Sequence, residues 1–438
     1  MARRSVAPLL IGTFLLRSNS GAITITLGLL LAHISMHSAR PITTVQVGLI
    51  PVVYYISELT LSPCFGMFSD RFGRRFFLIA GPLIGLVEVY LLAFTPYSQP
   101  LPYLLSLQAL AGLSGAMAVP ATLGYLADFT VNDQRYRARV MSLYELATTG
   151  GIAIGTVLGG LAWQRLERRA FIAFAMVYLF VAFCMWLTPL VGQVIDRRGL
   201  GSTIRRYGRI IRTPRLFIFI PAWICISAMV GIWLNSQPTF VLSMLPRHHT
   251  AQLLMGIFSG PDAGRSISLT LGSLALFFGA GLLFWVFFLH RISRLRLMLL
   301  SVIGIYIACV ALWGLNHGGV AGGVVKIWWF LLLLTGIFAE TGFAPAALSY
   351  LADISENAAK DRGLVMGLYS VFLGVGEIVG NGLGGVFAHQ FGFDGLIYLT
   401  ALLACVALAS LIWLFWFDRG RFERQHNVER QRDVQYTS

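Results

Sequence analysis

Ionisable side chains inside long apolar runs are the residues of this chain best placed to do chemistry. Arg17 lies about ten residues into the first such run, about 15 Å deep at about 1.5 Å per helical residue. Asn19 is beside it. Glu58 falls near the middle of the second run, twelve residues ahead of Asp70. Glu340, just before Pro345, is mid-way along the tenth run, and Glu377 mid-way along the eleventh, with Asn381 one turn on. Asn235 and Gln237, ahead of Pro238, place amides in the outer part of the seventh. Burying a charge at bilayer depth costs at least about 2.5–3.5 kcal/mol on insertion scales, so each of these residues calls for a function or a partner. A carboxyl in a poorly hydrated cavity can carry a proton. Arginine keeps its proton, which leaves Arg17 two roles: partner to a carboxylate such as Glu58, or anchor for an anion. Glu88 and Glu145 read as structural, Glu145 lying close enough to the membrane rim to join the charges there.

A second set of charges sits between apolar runs. Gly66-Met67-Phe68-Ser69-Asp70-Arg71-Phe72-Gly73-Arg74-Arg75 joins two hydrophobic segments through a very short charged link. That length demands an antiparallel helix pair, and the glycines permit the turn. Asp128 is followed nine residues later by Arg137, and Asp353 nine residues later by Arg362. An acid at a helix end near Arg74 or Arg75 can form charge-assisted hydrogen bonds between helices.

The elements that must carry these residues are membrane spans. The chain is 57% hydrophobic and only 12% charged. A span needs about 20 mostly apolar residues. Twelve candidates fall near 7–33, 43–68, 76–96, 102–127, 140–163, 170–190, 216–242, 268–290, 297–315, 325–351, 364–388 and 394–417. The net charge of +14 is explained by topology. With both termini cytoplasmic, the far side holds only Arg40, Arg165, Arg168, Arg169, Arg247, Arg265 and Lys326, and most of the 33 Lys and Arg fall inside. The cluster Gln164–Arg169 is the exception. A nucleic-acid partner is therefore not expected. The five cysteines are scattered through apolar runs with no metal-ligand or disulfide spacing, so no metal or redox role is assigned.

An internal repeat sets the plan. Pro120-Ala121-Thr122-Leu123-Gly124-Tyr125-Leu126-Ala127-Asp128 returns 225 residues later as Pro345-Ala346-Ala347-Leu348-Ser349-Tyr350-Leu351-Ala352-Asp353. The same offset carries Val140-Met141-Ser142-Leu143-Tyr144 onto Val365-Met366-Gly367-Leu368-Tyr369. Two homologous six-helix halves follow, 1–190 and 216–417. Between them, 191–215 is a basic linker suited to anionic headgroups. The tail 418–438 is polar and expected to be poorly ordered.

The Gly66–Arg75 loop resembles the signature G-x-x-x-D-R-x-G-R-R between the second and third helices of the major facilitator superfamily, at every fixed position. The resemblance implies an all-α membrane protein of twelve transmembrane helices in two pseudo-symmetric halves, with the solute site between them near mid-membrane. It implies a gating role for Asp70, Arg71, Arg74, Arg75, Asp128 and Arg137, repeated at Asp353 and Arg362. The second-half loop His290–Arg296 keeps the charge but loses the Asp and Gly. Gly151, Gly155, Gly159 and Gly160 resemble the antiporter signature of drug–proton exchangers, with Thr156 where that signature has proline. Gly380, Gly384 and Gly385 repeat the pattern, with Asn381 at the Thr156 position. These glycines are expected to pack helices closely. The fourth-helix Arg of such exporters is replaced by Gln108.

The expected function is secondary active transport of a small organic solute by alternating access, as proton-coupled efflux. The alternatives are uptake of an organic anion held by Arg17, or lipid translocation on the same scaffold. No nucleotide-binding loop, cofactor or nucleophile–base constellation is present, so an enzyme is not expected. The partners implied are the solute, protons and membrane lipids, with a monomer in the cytoplasmic membrane.

Overall fold

The computed structural model describes residues 6–38, 41–130, 134–189, 213–245, 249–288, 291–318, 323–356 and 362–437. The helices are α1 (Ala7–His37), α2 (Thr44–Phe72), α3 (Arg74–Leu92), α4 (Pro100–Phe129), α5 (Gln134–Leu166), α6 (Ala170–Trp186), α7 (Pro214–Trp233), α8 (Ser236–Ser243), α9 (Ala263–Phe288), α10 (Arg294–His317), α11 (Gly323–Glu340), α12 (Phe343–Glu356), α13 (Arg362–Phe391) and α14 (Phe393–Thr437). Eleven described stretches are long and apolar enough to span a membrane, two of them joining two helices: 143–186 runs through α5 and α6, and 323–351 through α11 into α12. Ten of the expected spans are single helices. The seventh is broken into α7 and α8, and the tenth into α11 and α12.

The ends of the elements follow local chemistry. Pro sits in the first turn of α1, α4 and α7, where its missing N–H is not needed. Thr43 caps α2 through a reciprocal pair: its side chain accepts from Gln46 N at 3.3 Å, and Gln46 Oε1 accepts from Thr43 N at 3.1 Å. Gly73, with φ +104°, is the whole connection between α2 and α3, a conformation that favours glycine. In the second half the described residues 291–293 lie between α9 and α10, where the first half has Gly73 alone. The tail departs from expectation, because α14 continues through it to Thr437. Residues 421–437 contain neither Gly nor Pro and are rich in Arg, Glu and Gln, all good helix formers.

Each half packs in the same way. α1 lies on α5 and α6, and α7 lies on α13 and α14; α3 joins α4 and α6, as α10 joins α11 and α14. The glycine faces set the α1–α5 and α7–α13 registers. A methyl group at Gly151, Gly155 or Gly159 would strike the carbonyls of Phe14, Ser18 and Ala22 in turn. Gly376 and Gly380 meet Ile224 and Ala228 alike, and Gly384 meets Gln237 and Ile232. Backbones approach this closely only where no side chain intervenes. Between the halves, α2 packs on α13 and α5 on α9, a symmetric pair of contacts.

The halves close on each other at the face opposite the start of α1. There Thr44 Oγ1 donates to Gly385 O at 3.0 Å, and Gln164 Nε2 to Pro261 O at 2.8 Å. Gly48 packs on Gly385, Gly160 on Gly264, and Gly28 on Thr239. The anomalous Arg168 is accounted for at this face: it donates to Thr95 O at 2.9 Å and lies 4.0 Å over the Tyr97 ring, stapling two turns together. A second staple joins Asp394 to Asn316 Nδ2 at 2.7 Å, His317 Nε2 at 2.7 Å and Gln252 Nε2 at 3.1 Å.

Candidate solute and ion site

α1 and α5 place Arg17. Its Cβ lies 3.0 Å from where a Gly151 side chain would begin, so the glycine face brings the guanidinium toward the neighbouring helices. It is in electrostatic contact with Tyr144, Tyr54 and Glu58, and Tyr144 is its hydrogen-bond partner. Among the described residues Arg17 forms no direct ion pair, so Glu58 acts on it at longer range. Glu145, exposed on α5, also feels Arg17.

α2 carries Tyr54 and Glu58 one turn apart, and α4 makes room for them. A Cβ at Gly115 would lie 2.7 Å from the Tyr54 hydroxyl and 3.4 Å from Glu58 Oε1. Ser57 Oγ fixes α2 to α4 by donating to Ala109 O at 2.9 Å. Gly115, Tyr54 and Tyr144 were not singled out from sequence. A glycine in an apolar helix carries no signal until its neighbour across the contact is known.

The α7–α8 break builds the other wall. Asn235 is extended, with φ −107° and ψ −172°, and its Nδ2 donates to Gly231 O at 3.0 Å and to Glu377 Oε2 at 3.2 Å. Asn381 Nδ2 donates to Glu377 O at 2.8 Å and reaches Glu377 Oε2 at 3.4 Å. Gln237 Nε2 donates to Asn381 O at 2.5 Å. Glu377 is 5% exposed, its carboxylate meets Tyr55 of α2, and it senses Glu58. Asn235, Gln237, Glu377 and Asn381 therefore form one knot, facing Arg17 and Glu58 across the seam between halves.

Two expected members do not join. Asn19 is turned about 200° from Arg17 at about 100° per residue. Its Nδ2 donates to Phe174 O at 3.0 Å and ties α1 to α6. Glu340 ends α11 and lies beside Cys309 of α10, away from the Arg17–Glu58–Glu377 group. Both are corrections to the expected site, and both arise because helix rotation, not depth, decides which face a residue presents.

The charged loop forms its own cluster at the other end of the first half. Arg74 Nε meets Asp128 Oδ2 at 2.6 Å and Arg74 Nη2 meets Asp70 Oδ1 at 2.8 Å. Gly124 is the unexpected member: any side chain there would collide with the Arg74 guanidinium. Arg75 donates to the Trp186 carbonyl and lies 5.7 Å from its ring centroid, and Arg71 lies 5.7 Å from that of Phe72. The side chains of Arg137, Asp353 and Arg362 lie outside the described residues. No group of three metal-ligating side chains occurs among the described residues.

The sequence model of the Major Facilitator Superfamily matches residues 9–264 and 250–435. The chain belongs to the Major Facilitator Superfamily. It is 25% identical over 364 residues to Multidrug resistance protein 2 of Bacillus subtilis (strain 168), covering 81% of this chain and 84% of that one. It is 24% identical to the inner membrane transport protein YajR of Escherichia coli (strain K12), covering 83% and 73%. The nucleoside transporter NupG shares its fold, with a TM-score of 0.69 at 13% identity over 93% of this chain and 98% of that one. A bacterial homolog of the lysosomal transporter Spinster, crystallised inward-facing and unoccupied, gives 0.64 at 16% over 94% of each. This is thus a multi-pass membrane transporter and not an enzyme.

Proposed function

We propose that this transporter exports a small organic solute in exchange for protons, from the cytoplasmic membrane with both termini cytoplasmic. The observation that carries the reading is the position of Glu377. It is a buried carboxyl in the second half whose neighbours include Tyr55 and Glu58 of the first half and Asn235 at the α7–α8 break. A proton arriving on Glu377 removes its negative charge, weakens what it accepts from Asn235, and relieves its repulsion with Glu58. Each of those changes acts on the seam that must open and close, which is what coupling requires. Relatives named for multidrug resistance support efflux. With the termini cytoplasmic, the face closed by Thr44–Gly385 and Gln164–Pro261 is the external one.

Arg17, in electrostatic contact with Glu58, sets the charge of the cavity. The Asp70–Arg74–Asp128 cluster holds α2, α3 and α4 as one unit, so that the first half rocks as a rigid body. Proteoliposomes loaded with a pH-sensitive dye test the proposal. An imposed proton gradient drives uptake of a responsive solute from a panel, and solute addition collapses the gradient. Solute flux that never moves protons would refute it.

A further inference from the structure

The knot around Glu377 leaves two acceptors unused. Asn381 is 0% exposed and Gln237 1% exposed, and Asn381 Oδ1 and Gln237 Oε1 have no donor among the described residues. Their amides cannot simply be turned over. Asn381 Nδ2 already faces Glu377 O and Oε2, and Gln237 Nε2 faces Asn381 O. A flip would set oxygen against oxygen.

A helix ends at the same place. α7 stops at Trp233, so its last carbonyls and its negative end lie at the break. Gly231, in that last turn, is packed on the knot: a Cβ there would lie 2.9 Å from Glu377 Oε2 and 3.0 Å from Asn381 Nδ2. A carboxylate, a negative helix end and the unanswered Asn381 oxygen thus occupy one small region, while Gln237 Oε1 lies further along α13 against Gly384. A proton on Glu377 supplies one O–H to one acceptor. A hard cation takes lone pairs from several oxygens at once, and oxygen donors at the ends of broken membrane helices suit such ions.

We propose that the α7–α8 break binds a dehydrated sodium ion, ligated by Glu377, by the Asn381 amide oxygen, and by carbonyls at the end of α7. The inference rests on the proposed reading of Glu377 as the coupling carboxyl, and makes sodium a competitor for the proton there.

Thermal unfolding of the purified full chain tests it, in NaCl against choline chloride at equal ionic strength and fixed pH. The wild-type midpoint should rise with sodium and saturate. The rise should vanish in Glu377→Gln, and its half-saturating concentration should increase several-fold in Asn381→Ala. Identical wild-type midpoints in the two salts overturn the inference whether or not any variant folds, and an equal rise in Glu377→Gln overturns it too. The two readings separate in proteoliposomes. If sodium does nothing while Glu377→Gln abolishes proton-driven flux, the sodium site falls and the proton reading stands. If sodium stabilises wild type while Glu377→Gln leaves proton-driven flux intact, the reverse holds.

Discussion

Arg74 and Asp128 meet at 2.6 Å across α3 and α4, within one half of the molecule, and the same guanidinium reaches Asp70 of α2 at 2.8 Å. One cation therefore links three helices. The side chains of Arg74 and Asp128 are only 13% and 10% exposed, so screening by water is weak.

Arg74→Ala should leave two acids facing each other. Breaking a fully buried pair costs about 3–5 kcal/mol, and the cost here is lower because each side chain keeps some contact with solvent. The expected outcome is a lower unfolding midpoint and slow transport, with protein still reaching the membrane. Adding Asp128→Asn should recover part of the midpoint. Wild-type flux in both Arg74→Ala and Asp70→Asn would remove the cluster from the mechanism.

The glycine face offers a contrast inside one helix. Gly155 lies against the Ser18 carbonyl, whereas a methyl group at Gly150, five residues earlier, would meet nothing within 4 Å. Gly155→Ala should destabilise by about 1–3 kcal/mol through overpacking. Gly150→Ala should be neutral or slightly stabilising, because it adds helix propensity in open space. Comparison of unfolding midpoints and monodisperse yield decides. Gly380→Ala, against Ala228, should reproduce the Gly155 effect in the second half.

Coupling should depend on Glu377 more than on Glu340. Glu377→Gln should retain solute exchange yet lose its response to a pH gradient, since an amide cannot carry the proton. Glu58→Gln should weaken the response, because it removes the neighbouring charge. Glu340→Gln, beside Cys309 and away from the seam, should leave gradient-driven flux close to wild type. Loss of coupling in Glu340→Gln alone would move the proton path to α10 and α11.

Arg17 should matter for transport more than for folding. It has Tyr144 as its hydrogen-bond partner and no direct ion pair among the described residues. Arg17→Gln should lower flux, because it removes the fixed positive charge that faces Glu58 beside the seam. Its midpoint should change little. Arg17→Lys should keep the charge and recover part of the flux. A large drop in midpoint, rescued by Glu58→Gln, would instead show that Arg17 serves mainly to neutralise Glu58.

The sequence alone determined the membrane class, the twelve spans and the two halves. Apolar run length, the 225-residue repeat and the charged Gly66–Arg75 turn are one-dimensional signals, set by bilayer thickness and by backbone conformation. It also placed Arg17, Glu58 and Glu377 at depth, because depth is a count of residues. What it left open was rotation and helix continuity. Asn19 and Glu340 have the right depth but face α6 and α10, and only the packed register of glycine against carbonyl fixes that angle. The α7–α8 break had one local signal, Pro238, but not the partners that shape it. Pro238, in the first turn of α8, has no N–H to offer the Leu234 carbonyl and its ring clashes with that carbonyl, so a continuous helix is interrupted there; the tertiary contacts decide how the break is used, Asn235 Nδ2 taking Gly231 O on α7 and Glu377 Oε2 on α13.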